Sequence, residues 1–231
     1  MNSNSNSANG NDGLRERILR ASITLIEEEG LAALSVREVA RRAGVSHQAP
    51  YHHFADREAI LAALAERGFA MLGAAMQKVR RPGVEATEAV ERGLIAYIQF
   101  ACDYPAHFRI MFRPELVELA KHAGVQSEGS TAFRHVPEIV VGCMKAGFPE
   151  SFGVELMSAL FWSTAHGLAS LLLDGPIVGT LPDLMKDQEH GIAQVAHAMR
   201  LMVEATINQE LAKRVASKST RAERHTKRRT H

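Results

Sequence analysis

From Leu14 onward, apolar residues recur at helical spacing with charges between them: Leu14, Ile18, Ala21, Leu25 and Ile26 share one face. Asp12 is placed to cap this helix and Gly30 to end it. A second, short helix is predicted from Ser35, with Glu38 three residues on in the capping-box pattern. It carries Val36, Val39, Ala40 and Ala43 inward and stops at Gly44. Ser46 starts a third short helix that ends near Phe54. Asp56 caps a longer one over 57–80, which Arg81-Pro82-Gly83 breaks.

Longer helices follow. One is predicted over 86–103, with Val90, Leu94, Tyr97, Ile98 and Ala101 on one face. Pro105 opens a piece through Phe112 and Pro114 another to His122, while 126–130 reads as a loop. Further helices are expected over 133–145, 152–173 and 184–213, with a loop between Gly175-Pro176 and Leu181-Pro182. No window alternates apolar and polar residues between turn signals, so no sheet is expected and the fold class is all-α.

Composition changes this picture in three places. Apolar residues make up 46 % of the 231, enough for a substantial core. Only Cys102 and Cys143 occur, which excludes a disulfide scaffold and fits reduced thiols in the cytoplasm. Residues 154–174 approach the length of a membrane span, but Glu155, Ser158, Ser163, Thr164, His166 and Ser170 favour a buried helix and no membrane. The first residues, MNSNSNSANGNDG, lack the apolar stretch of a signal peptide and read as a disordered arm over 1–11.

The net charge of +1 conceals an asymmetry. Residues 213–231 hold eight Lys and Arg against one acid, which leaves the other 212 residues at −6. The apolar-poor tail, 214–231, reads as disordered, either simply solvated or an electrostatic arm for DNA. An acidic body cannot coat DNA uniformly, so any DNA contact must come from a local patch.

Such a patch lies in SVREVARRAGVSHQAPYHHFADREAI, residues 35–60. Two short helices flank a turn at Gly44, Val45 supplies an apolar pin, and Ala40 is small enough for close approach. These are the requirements of a helix-turn-helix whose second helix enters the major groove. Segment 35–57 holds four Arg against two acids. The second helix would expose His47, Gln48, Tyr51 and His52. Gln48 suits a base edge and Ala49 a thymine methyl; Tyr51 and His52 suit phosphate oxygens. Ser35 and Arg57 stand at helix N-termini, which attract phosphate, and Arg37, Arg41 and Arg42 add positive charge. A helical hairpin that merely packs has the same spacing.

The residues themselves resemble the DNA-binding domain of the TetR (tetracycline-repressor) family over about 14–65: S-V-R-E-V-A-R-R-A-G-V-S, then Y-H-H-F, then A-D-R-E-A-I. That resemblance implies phosphate contacts at Ser35, Tyr51, His52 and Arg57, and groove reading at His47, Gln48 and Ala49, with Arg37 and Ser46 alongside. Two positions depart from the pattern: Ala49, often Gly in the family, and Pro50, usually apolar such as Leu. Pro50 removes a backbone donor and biases Ala49 away from helix, so an irregular start to the recognition helix is expected.

WSTAHG, residues 162–167, resembles the Trp-x-x-x-His-Gly (WHG) signature of one C-terminal domain class of that family. Trp162 and His166 share a helix face. With Tyr97, Phe100, Phe108, Met111, Phe112 and Phe161 they are the candidate lining of an apolar effector site. The same residues also suit an ordinary core.

The expected architecture is therefore a three-helix helix-turn-helix domain at 12–56 and a larger helical bundle at 57–213 for ligand binding and dimerisation. The resemblance implies a cytoplasmic homodimeric repressor, released from a palindromic double-stranded operator by a small-molecule effector. No cofactor is expected, and no metal: His190 and His197 lack companion ligands at metal spacing. No nucleophile-base pattern, phosphate loop or HExxH run points to an enzyme. A helical enzyme and a protein-binding adaptor that has lost DNA binding are the alternatives.

Overall fold

The computed structural model describes residues 5–79, 83–118 and 121–227, with side chains over 13–79, 83–118 and 121–217. The described residues contain helices and turns and no strand. The helices are α1 (Ser5–Glu29), α2 (Val36–Arg42), α3 (Arg57–Val79), α4 (Ala86–Asp103), α5 (Pro105–Met111), α6 (Ala123–Phe133), α7 (His135–Lys145), α8 (Val154–Leu173), α9 (Pro176–Thr180), α10 (Pro182–Met185) and α11 (Gln188–Lys227). Short 3-10 turns occupy Leu31–Ala33, Ala49–His52 and Glu150–Phe152.

The chain forms two compact units that do not follow a single cut in sequence. One contains Met1–Ala74 and Phe100–Ala132, the other Ala75–Gln99 and Phe133–His231. The first unit thus takes in more than the segment 12–56 read as the DNA-binding domain.

In the first unit, Ile18, Leu19, Leu25 and Ile26 of α1 bury against α2 and its neighbours. Ser22 is also buried and returns its hydroxyl to the Ile18 carbonyl at 2.8 Å. Ile60, Leu61 and Leu64 of α3 are fully enclosed, each contributing about 1.5–3 kcal/mol of hydrophobic stabilisation. Phe69 meets Phe112 edge-on at 5.6 Å, and Phe108 meets Phe112 at 5.2 Å. In the second unit, α7 packs on α8, and α8 buries Met157, Phe161, Ala165, Leu168, Ala169 and Leu172 along one face. All five residues expected on the inner face of α4 are buried.

Several expectations are corrected. The arm expected at 1–11 is helical from Ser5, and the tail expected to be disordered from 214 continues α11 to Lys227; residues 1–4 and 228–231 lie outside the described residues. Each extension adds one hydrogen bond per residue to an existing helix, which avoids a new nucleus. The tail's Arg, Ala, Glu and Lys are strong helix formers. The stretch 126–130 is helix, not loop. Packing overrides its glycines: Val125 and Ala132 are buried, and Gly129 lies against the Phe69 ring. The piece from Pro114 is a turn, closed by the Leu116 N–H on the Arg113 carbonyl at 3.0 Å, with residues 119–120 outside the description. The loop after α8 contains α9, which Pro176 opens with its fixed φ. The last helix starts at Gln188 rather than at 184.

Two helices, α3 and α8, are long and apolar enough to cross a membrane by length and composition alone. Over half of the α3 window is buried inside the fold, while α8 buries one third of its own and leaves Leu156, Leu160 and Leu171 exposed.

Candidate nucleic-acid interface and effector cavity

The helix-turn-helix is built from short-range chemistry. Ser35 caps α2, its hydroxyl accepting the Glu38 N–H at 3.2 Å. The reciprocal half of the capping box is missing, because the Glu38 carboxylate is taken by the Arg41 guanidinium. At the other end Gly44 adopts φ +65°, the left-handed region that a side chain disfavours. Its N–H donates to the Arg41 carbonyl at 3.2 Å and the Val45 N–H to the Ala40 carbonyl at 3.0 Å. That pair is a Schellman motif, and it turns the chain sharply out of α2.

The expected third helix is instead a 3-10 turn, Ala49–His52. Pro50 is the reason. An α-helical bond to the Ser46 carbonyl needs an N–H at position 50, which proline lacks. The Ala49 N–H takes that carbonyl at 3.0 Å, one residue earlier, and the Tyr51 N–H takes Gln48 at 3.1 Å. Only after the proline does an α-type bond return, from the Phe54 N–H to the Pro50 carbonyl at 2.9 Å. Pro50 and Phe54 are buried and anchor the turn, while Ser46, His47, Gln48, Tyr51 and His52 are exposed or partly so and Ala49 is half-buried. The irregular recognition element therefore still presents its reading residues to solvent.

Ser35, Arg37, His47 and Tyr51 line one surface groove together with Glu38, Arg41 and Val45. Within the turn, the Gln48 amide nitrogen lies 3.0 Å from His47 Nε2, so the two side chains steady each other. The positive charge read from the sequence is much reduced in space. Arg41 pairs with Glu38, and Arg42 pairs with Glu28 and Glu29 of α1. Those pairs hold the Arg41 and Arg42 pKa values above their ordinary range and the Glu38 carboxyl below its own. Arg37 lines the groove at the start of α2, next to the Ser35 cap.

Arg57 does not project freely. Its guanidinium donates to the Leu34 carbonyl at 2.8 Å and to the Leu31 carbonyl at 3.0 Å. It stitches the start of α3, itself capped by Asp56 on the Ala59 N–H at 2.8 Å, to the turn before α2. Sequence reasoning also passed over Arg17, which donates to the Ala43 carbonyl at 2.6 Å and fixes the exit of α2. Its exposed position on α1, five residues before the buried Ser22, gives no sequence signal for that contact.

The eight aromatic, Met and His candidates for an effector site do not gather in one place. Phe100, Phe108, Met111 and Phe112 belong to the first unit and are core there or at its edge; Phe108 and Phe112 pack on each other. The other four meet in the second unit. Tyr97, Phe161 and Trp162 line a cavity of about 30 Å³, joined by Met76, Val90, Gly93, Leu94, Val136, Ile139 and Ala165. His166 stands behind it, with Nδ1 2.9 Å from the Tyr97 hydroxyl. The Trp162 indole N–H donates to the same hydroxyl at 3.2 Å. Phe133 stacks edge-on to Trp162 at 4.6 Å. Burial lowers the pKa of His166 and raises that of the Tyr97 phenol, so both stay neutral near pH 7. Among the described residues no cluster of His, Cys, Asp and Glu is arranged to hold a metal.

Comparison with known proteins fits this geometry. Residues 18–64 match the family model described as bacterial regulatory proteins, tetR family, and residues 90–195 match that of a tetracyclin repressor-like C-terminal domain. The second match spans the W-S-T-A-H-G run without assigning a WHG class. Among solved structures, a protein with unknown function from Rhodococcus sp. RHA1 is 27 % identical with a TM-score of 0.65, covering 81 % of this chain and 93 % of that one. A bacterial regulatory protein of the tetR family from Rhodococcus RHA1 aligns at 21 % identity and TM-score 0.63, over 82 % and 96 % of the two chains. The TetR family transcriptional regulator PfmR from Thermus thermophilus aligns at 22 % and 0.62, over 81 % and 96 %. The chain belongs to the TetR family of bacterial regulatory proteins, DNA-binding transcription regulators rather than enzymes.

Proposed function

We propose that the protein is a homodimeric repressor of the cytoplasm that leaves a palindromic operator when a small molecule enters the cavity beside Tyr97 and Trp162. The observation that carries this reading is the small volume of that cavity. At about 30 Å³ it holds a water molecule at most, whereas sites for small organic ligands usually measure about 300–1,000 Å³. A ligand can bind only by rearranging the lining. It therefore favours a different conformation from the ligand-free one, which is the differential affinity that allosteric release requires.

Dimerisation follows from the reading problem, since one short element contacts too few base pairs and a two-fold dimer reads a palindrome. Leu156, Leu160 and Leu171 of α8 and Leu201, Met202, Leu211 and Val215 of α11 are exposed apolar residues suited to that contact. On DNA, Gln48 and His47 read base edges, Arg37, Tyr51 and His52 hold phosphates, and Arg57 positions rather than contacts.

Three substitutions test the assignment against operator and non-operator duplexes over a salt series. Gln48→Ala is expected to reduce discrimination more than total affinity, and Tyr51→Ala to weaken both duplexes alike. Arg37→Ala is expected to lower the salt slope by about one. A Tyr51→Ala effect confined to the operator, with Gln48→Ala neutral, would reverse the groove and backbone roles.

A further inference from the structure

The cavity of the second unit restricts the chemistry of what it can admit. Leu94, Ile139 and Phe161 give it apolar walls, and among the described residues no charged side chain lines it. Its polar lining side chains are Tyr97 and Trp162, whose hydroxyl and N–H are bonded to one another and, through Tyr97, to His166. An ion entering this lining loses its hydration and gains no counter-charge. Burial keeps Tyr97 and His166 in their neutral forms, so neither supplies one.

The room for a ligand comes from Gly93, in the interior of α4. A Cβ built there would lie 3.3 Å from Ile139 Cδ1 and 3.6 Å from Met76 Cε. Alanine would therefore nearly fit, and it would strengthen the helix. Glycine keeps the space open at the helix's expense. Met76 faces that space with an unbranched, rotatable thioether chain, the side chain best able to move aside without strain.

We infer that this cavity takes an uncharged, predominantly apolar small molecule, admitted over Gly93 as the Met76 side chain swings away and contacted by Trp162. The inference names the ligand class of the effector site and rests on that reading. Trp162 is the only tryptophan of the chain, so the protein's indole emission reports on this cavity.

The test uses the full-length protein and three probes that share one chain length and differ in charge: octan-1-ol, octanoate and octylammonium at pH 7. Octan-1-ol is expected to change Trp162 emission saturably, with octanoate and octylammonium at least about tenfold weaker. Gly93→Ala, folded to the same far-UV circular dichroism, is expected to weaken octan-1-ol by about tenfold through overfilling. Equal or tighter binding of either ion, or no saturable response to octan-1-ol, overturns the inference. Operator affinity measured in parallel separates it from the repressor reading. If octan-1-ol saturates the Trp162 signal and operator binding is unchanged, the ligand class stands and the effector role fails.

Discussion

Replacing Arg57 separates two roles for the same side chain. Family resemblance assigns it to a DNA phosphate, whereas the structure gives its Nε and Nη2 donors to the backbone, at Leu34 (2.8 Å) and Leu31 (3.0 Å). Hydrogen bonds from a charged donor contribute about 1.5–3 kcal/mol each. Arg57 is half-buried, so water recovers part of that loss, and Arg57→Ala is expected to cost about 3 kcal/mol, the low end for two such bonds. For a chain of this size that lowers the thermal midpoint by roughly 6–12 °C. Lysine offers a single ammonium in place of a fork, so Arg57→Lys should recover less than half of the loss. The assays are thermal unfolding and the salt dependence of DNA binding on the same preparations. A positioning residue moves the midpoint and leaves the salt slope unchanged. A midpoint within about 1 °C of wild type, with the slope reduced by about one, would be the signature of a phosphate contact and would refute the positioning role.

Further expectations follow from the same geometry. Gly44→Ala meets no clash, since its Cβ would lie 3.9 Å from the Arg17 guanidinium, so its cost is that of the left-handed backbone, about 1–2 kcal/mol; Gly44→Asn should cost less, both read from urea midpoints. His107 is buried with an unpartnered Nε2, and burial together with the Arg67 charge depresses its pKa to about 4. The unfolded chain protonates near pH 6.5, so stability is full above that pH and falls toward pH 4 by up to roughly 3 kcal/mol. His107→Leu should flatten this dependence between about pH 7 and 4.5, and an unchanged urea-midpoint profile would exclude His107 as its source. Met202 is 64 % and Leu160 51 % exposed; glutamate at both should leave the fold intact by circular dichroism, give a monomer on sedimentation, and weaken operator binding by more than about a hundredfold as half of the base contacts are lost.

What the sequence made legible is what depends on neighbours in the chain. Ser35 and Asp56 cap helices three residues downstream, Gly44 turns the chain because only its own φ is at issue, and α4 shows its buried face by period alone. Pro50 signalled an irregular recognition element for the same local reason, although its full consequence, a 3-10 turn instead of a helix, depended on which carbonyl the Ala49 N–H reached. The misread parts depend on distant partners. Residues 126–130 carry loop-like glycines, and only the Phe69 ring and the burial of Val125 and Ala132 make them helix. The charge of the reading head depends on Glu28 and Glu29, more than a dozen residues from Arg42. Aromatic spacing could not say that Tyr97 and Phe100, three residues apart on α4, belong to different compact units.

The central claim, a dimer that reads a defined sequence, is tested most directly by letting the purified protein select from a random duplex pool at about 150 mM salt, where specific and non-specific binding separate. The account predicts an enriched palindrome whose half-sites lie one helical turn or a multiple apart. Recovery of folded protein with no enriched sequence would contradict it.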